Sequence, residues 1–204
     1  MVEVTHRERK RAQTRQRISD TATRLFERDG FDSVTLAQIA TAADVSVKTV
    51  TNYFGAKEDL FFDAEPAVLA TLIAAIQGSE PASATAALRP LLLEGPLLAG
   101  PCPWARVDAD LWQGMRDWTR CESESVTLRN RRSSILQSWL VPLAGATGSM
   151  PWAALMIGAL ALRHHLLQEG LLEGASPAVV DKRMSDVVGQ ALDAIEVGFG
   201  PPAR

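Results

Sequence analysis

The chain is short of the residues that staple folds or build reactive centres. Of 204 residues only two are cysteine, Cys102 and Cys121. They make no metal-ligand spacing, and one pair does not build a disulfide scaffold. No leader-like segment stands at the start, so a cytoplasmic protein with free thiols is expected. Tyrosine is nearly absent, Tyr53 being the single one. Long apolar runs are missing too. The most apolar stretch, PWAALMIGALAL at 151–162, stops at Arg163. A membrane span needs about 18 such residues, so this reads as a helix buried on both sides. No glycine-rich phosphate loop, nucleophile elbow or ligand cluster occurs. His164 and His165 are adjacent, and on a helix they point about 100° apart, which suits a surface pair better than one metal ion. Enzyme, cofactor and metal are therefore not expected. Internal repeats and low-complexity segments are also lacking. Clean strand alternation is lacking as well, while Leu and Ala dominate, so the expected fold class is all-α.

Net charge is small, −3, but it is unevenly spread. Residues 1–57 hold ten Lys/Arg against seven Asp/Glu, so they carry +3 and the remainder −6. The excess gathers at His6, Arg7, Arg9, Lys10, Arg11, Arg15 and Arg17. A solvated basic N-terminus is common, but charge set beside a groove-reading element is what phosphate binding asks for.

That element is TLAQIATAADVSVKTVTNYFGAK at 35–57. Ile39, Ala40 and Ala43 share one face of a short helix. Thr35 and Gln38 have the spacing of a capping box. Asp44 stands where the chain must turn, and Asp tolerates a left-handed backbone. Val45 plugs the turn, and Ser46 is an N-cap for the next helix. Val47, Val50 and Phe54 recur at helical spacing and are expected to face inward, while Lys48, Thr49, Asn52 and Tyr53 fall on the outer face with Thr51 at its border. The pattern is a helix-turn-helix. Two short helices with a polar face also occur in proteins that bind no DNA. Ahead of them, 9–29 reads as a helix with Ile18, Ala22, Leu25 and Phe26 as its stripe and Gly30 as its stop.

The run from Thr35 to Leu60, with the preceding Ala22 to Phe31, resembles the DNA-binding region of the TetR family of bacterial transcriptional regulators. The resemblance implies a helix-turn-helix DNA-binding domain at 1–56 and a helical ligand-binding and dimerisation domain at 57–204. It implies that Val47, Lys48, Thr51 and Asn52 face bases. Lys48 would donate to guanine and Asn52 pair with adenine, with Val47 and the Thr51 methyl against thymine methyl groups. Thr35, Ser46, Thr49 and Tyr53 match phosphate-holding positions, and Lys57 matches a phosphate clamp at a helix start. Three departures stand out. Thr51 replaces the usual tyrosine, Asp44 the usual glycine, and Ala56 a frequent serine cap.

Beyond residue 57 the sequence reads as five or six helices. In the connector at 57–78, Pro66 demands either a kink or a split near Glu65. Further helices are expected at 82–98, 104–117, 122–145, 151–173 and 177–198, with a break at Gly100-Pro101 and Pro142 a possible early stop. Trp104, Trp112, Met115, Trp118 and Trp139 are candidates to line an apolar ligand pocket, or else plain core. The resemblance implies a dimer bundle of the last two helices, using Ala154, Gly158 and Ala161 on one and Val188, Leu192 and Ile195 on the other. The expected function is a ligand-responsive homodimeric repressor on a palindromic operator. The alternatives are an activator, a helical interaction protein with a vestigial motif, or an enzyme on a borrowed helical fold. Expected partners are double-stranded DNA, a small-molecule effector and a second copy of the chain, with no membrane.

Overall fold

The computed structural model describes residues 5–78, 84–97 and 102–199, and every regular element among them is helical. The chain folds as two compact units, one reaching to Asp63 and taking in Cys121–Arg129, the other made of the rest.

The first unit begins with α1 (His6–Asp29), α2 (Leu36–Ala42), α3 (Val47–Tyr53) and α4 (Lys57–Phe61). α1 starts three residues before the expected position. Thr5 caps it by accepting from the Glu8 amide, and Glu8 reaches back to the Thr5 N–H at 2.8 Å. Gly30, at φ +79°, ends it. The core runs through Ile18, Ala22, Phe26, Ile39, Val50 and Leu60, all buried. Phe26, Phe31 and Phe61 form a ring cluster with centroids 5.1 to 6.1 Å apart. α4 therefore packs with α1, so the compact grouping extends past Ala56 to Asp63. The segment 121–129 joins the same unit. The Cys121 thiol faces the Phe26 carbonyl at 3.8 Å, and Ser125 Oγ donates to Asp32 at 2.8 Å. Burial pushes the Cys121 thiol pKa up, because the thiolate is penalised away from water.

The connector is split. α4 ends at Phe61, and α5 (Glu65–Gly78) restarts with Pro66 in its first turn, where the missing N–H costs nothing. The Ala64 carbonyl accepts the first bonds, from Ala67 and Val68 at 3.0 and 3.1 Å. Glu65 is helical despite preceding proline, and it pairs with Arg132.

Further along come α6 (Ala84–Leu93), a 3-10 turn (Trp104–Arg106), α7 (Ala109–Glu124), α8 (Val126–Ser138), α9 (Leu140–Thr147), α10 (Met150–Leu172), α11 (Pro177–Arg183) and α12 (Gly189–Phe199), all in the second unit except the end of α7 from Cys121 and the start of α8 to Arg129. The start of the expected helix at 82–98, its last residue and the Gly100-Pro101 break lie outside the described residues. Other boundaries moved for visible reasons. Pro90 is accommodated inside α6. The helix expected at 104–117 begins at Ala109 and runs to Glu124, after a separate turn. The one expected at 122–145 is two: Ser125 interrupts it, capping α8 through Leu128, and Pro142 falls in the first turn of α9. A π-helical turn, Met184–Val188, separates α11 from α12. Gly170 is required where α10 meets α11, since a Cβ there would lie 2.5 Å from Val180.

Arg163 is the one charge buried in α10. Its Nε and Nη2 donate to the Leu92 and Gly95 carbonyls at 2.8 and 2.6 Å, tying down the end of α6. Desolvation lowers its pKa to about 10, which leaves it charged at neutral pH. No helix among the described residues is long and apolar enough to cross a membrane.

Candidate nucleic-acid interface

The turn between α2 and α3 is built by short-range chemistry. Thr35 accepts from the Gln38 amide at 3.2 Å, while Gln38 Oε1 accepts from the Thr35 N–H at 2.7 Å, closing the expected capping box. Asp44 holds φ +51°, the only positive φ at a non-glycine residue among those described. Ser46 caps α3 by accepting from the Thr49 amide at 3.0 Å. Val50 and Phe54 point into the core, with Val45 partly covered.

This fixes what α3 turns outward. Val47, Lys48, Thr51 and Asn52 are exposed, and Thr49 and Tyr53 are half-buried beside them. Val47, expected by its spacing to face inward with Val50, is instead 43 % exposed, because as the first residue of α3 it lies beyond the core that buries Val50. The Thr51 hydroxyl donates to the Lys48 carbonyl at 3.1 Å, so that group is already engaged. The Ser46 and Thr49 hydroxyls lie 2.8 Å apart and bond each other.

Lys57 sits differently from a free surface cation. Its Nζ donates to the Phe31 carbonyl at 2.8 Å and the Val34 carbonyl at 2.9 Å, and lies 4.1 Å from the Phe31 ring centroid. An ammonium has three N–H donors, so one remains. Ala56 offers no side-chain cap to α4. Asp59 supplies half a box, its carboxylate accepting from the Ala56 N–H at 2.9 Å.

Two arginines of α1 lie on the aromatic end of α3, a contact that spacing along the chain did not reveal. Arg11 lies 5.9 Å from the Tyr53 ring centroid, and Arg15 lies 4.6 Å from that of Phe54 while pairing with Asp63. Their i, i+4 spacing on a basic helix was the available signal. No group of three metal-ligating side chains occurs among the described residues.

In the second unit Trp104, Trp112 and Trp139 are buried core, with Met115 packed against them and Trp118 half-buried. Trp104 and Trp112 meet edge to face at 6.3 Å, and their indole N–H groups donate to the Leu93 and Ala175 carbonyls at 2.7 and 3.1 Å. Ala154, Gly158 and Ala161 are exposed on α10, beside Leu155 at 50 %. Val188, Leu192 and Ile195 belong instead to the chain's own core. The π-turn and α12 turn Val187, Ala194 and Val197 outward in their place.

Known proteins agree with this geometry. Residues 18–64 match the family model described as bacterial regulatory proteins, tetR family. No curated protein matches. Among solved structures, the chain is similar to a TetR transcriptional regulator from Rhodococcus sp. RHA1, at 15 % identity and a TM-score of 0.53, covering 94 % of this chain and 99 % of that one. It is also similar to NalD, the secondary repressor of the MexAB-OprM multidrug efflux pump in Pseudomonas aeruginosa, at 18 % identity and a TM-score of 0.56, covering 90 % and 97 %. Members of this family regulate transcription and are not enzymes. Residues 18–64, which hold the helix-turn-helix, thus match the tetR family of bacterial regulatory proteins, and the chain as a whole shares the fold of these solved regulators.

Proposed function

We propose that the protein is a homodimeric repressor, released from a palindromic operator by a small apolar effector. The observation that carries this reading is the outward face of α3. A helix whose inner residues are wholly buried leaves Val47, Lys48, Thr51 and Asn52 in solvent, within a stretch, residues 1–57, that carries +3. In this reading Lys48 and Asn52 read base edges, and Val47 and the Thr51 methyl contact thymine. Thr35, Ser46, Thr49 and Tyr53 hold phosphates, and Lys57 adds its remaining N–H donor to one.

Dimerisation is supported by the uncovered apolar face of α10. Ala154, Gly158 and Ala161 are small enough for a close two-fold approach, and Leu155 gives them an apolar neighbour. Two half-sites one helical turn apart, about 34–36 Å, call for such symmetry. The similarity to NalD, itself a repressor, favours repression over activation. The aromatic core around Trp104, Trp112, Met115 and Trp139, with Trp118 at its edge, favours an apolar effector. The Trp104 and Trp112 indole N–H groups are already satisfied, so an effector would part these two rings rather than seek their polar tips. Binding there would shift the balance between two arrangements, with the break at Phe62–Ala64 absorbing the change.

Selection from random-sequence duplexes tests the reading. A palindromic site with salt-dependent affinity is expected. Recovery of no palindrome, with binding insensitive to salt, would sink it. Asn52→Ala should then lose about 1–3 kcal/mol of discrimination at one position of each half-site.

A further inference from the structure

A groove of about 530 Å³ opens in the first unit between the start of α1 and the end of α3. Arg7, Lys10, Arg11 and Thr14 form one wall, and Asn52 and Tyr53 form the other. The α1 residues stand at i, i+3, i+4 and i+7, so they share one helix face. The single acid at its edge, Glu8, is committed elsewhere. Its carboxylate accepts from the N–H and the hydroxyl of Thr5, both at 2.8 Å. Those bonds hold its pKa below the usual carboxylate value. Among the described residues no carboxylate pairs with Arg7, Lys10 or Arg11. The Arg11 guanidinium lies near the Tyr53 ring, which pre-orients it without neutralising it.

We infer that this groove is a second DNA-backbone site, binding the phosphodiester that flanks the major groove entered by α3. The inference rests on the DNA-binding reading of α3 and widens its footprint. Three features select this occupant. The α1 wall is cationic, and Arg7, Lys10 and Arg11 offer donors only, the chemistry of a phosphate contact. The volume far exceeds the roughly 30 Å³ of one water, so it suits a sugar-phosphate stretch better than a single small ion. Asn52 and Tyr53 belong both to the opposite wall and to the outer edge of the reading helix. A strand leaving the α3 face therefore continues into the groove. Such a contact carries no sequence information. It adds affinity uniformly and fixes the register of α3 on the duplex.

The test compares the parent with Arg7→Gln/Lys10→Gln and with the triple variant that adds Arg11→Gln. The double variant leaves the Arg11–Tyr53 contact intact, so it reports even where the triple variant folds poorly. Affinity for the selected operator and for a scrambled duplex is followed from about 50 to about 200 mM salt. The slope of log K against log salt should shrink by about 0.9 for each cation removed per bound protomer. Both duplexes should weaken by the same factor. Trimming the outer ends of the operator should cost the parent affinity and leave the double variant nearly unaffected. An unchanged slope overturns the inference. So does an unchanged slope with inorganic phosphate held in the groove, which would make this a free-anion site. A parent that binds no duplex at any salt removes the regulator reading itself, and the groove assignment with it.

Discussion

Two of the helix faces exposed among the described residues differ in chemistry. α3 turns out Lys48, Thr51 and Asn52 around a single valine, with cations of α1 close behind. α10 turns out Ala154, Leu155, Gly158 and Ala161, which carry no charge and no side-chain donor. Both helices bury their other side equally well, through Val50 in one and Ala153, Met156 and Leu160 in the other. Packing therefore does not separate them. What separates them is the surface each face can satisfy. A polar, cationic face loses little in water and gains most against a polyanion. An apolar face of small residues gains only by being covered, and its smallness suits a second helix at close range.

The most damaging way to break the comparison is to make the second face resemble the first. Leu155→Glu with Ala161→Glu places like charges across any two-fold interface at α10. Light scattering should report a monomer, and operator affinity should fall at least about a hundredfold as the two half-sites uncouple. Thermal stability of the protomer should change little, because both positions are exposed. A variant that stays dimeric would show that α10 is not the interface and that its apolar face has another cover.

A smaller effect separates two cations of the first unit. Lys48 is exposed on α3, whereas Lys57 spends two donors on the Phe31 and Val34 carbonyls. Lys57→Met should therefore cost stability as well as affinity. Two carbonyls lose a charged donor, worth about 1–3 kcal/mol in a denaturant titration. Binding should weaken for all sequences alike, with a salt slope lower by about 0.9 per protomer. Lys48→Met should leave stability within about 0.5 kcal/mol and change base preference instead. Equal losses of stability in the two variants would erase the distinction.

The same contrast explains what the sequence disclosed. The α2–α3 turn is made by Thr35, Gln38, Asp44 and Ser46 acting over three or four residues, so its geometry was legible from spacing alone. Gly30 and the first-turn role open to Pro66 were legible for the same reason. The misplacements have long-range causes. Ser125 breaks a helix where its hydroxyl donates to Asp32, far away in the chain. Arg163 looked like the polar end of an apolar run and is buried, because α6 presents two carbonyls to it. Val188, Leu192 and Ile195 made a stripe fit for an interface, yet a stripe does not say which partner covers it. Here the protomer's own helices do. The α1 cations were visible as charge, but not as a groove wall, since Asn52 and Tyr53 complete it from another helix.

The smallest effect lies where α1 begins. Glu8 has its carboxyl pKa held below the ordinary 4.5, first by the Thr5 backbone N–H and second by the Thr5 hydroxyl. A folded value below the unfolded one means that the carboxylate stabilises the fold above about pH 4.5. That contribution disappears as pH falls through the folded value, when the protonated group no longer accepts both bonds. The start of α1 should fray first in acid, and the groove cations with it. An NMR titration of the Glu8 carboxyl checks this directly. Thr5→Ala removes the hydroxyl and keeps the backbone donor, which is the larger cause. The carboxyl should therefore stay below its ordinary value in that variant, though by less than in the parent. A return to the ordinary value would mean that the hydroxyl, not the backbone, holds Glu8 across the mouth of the groove.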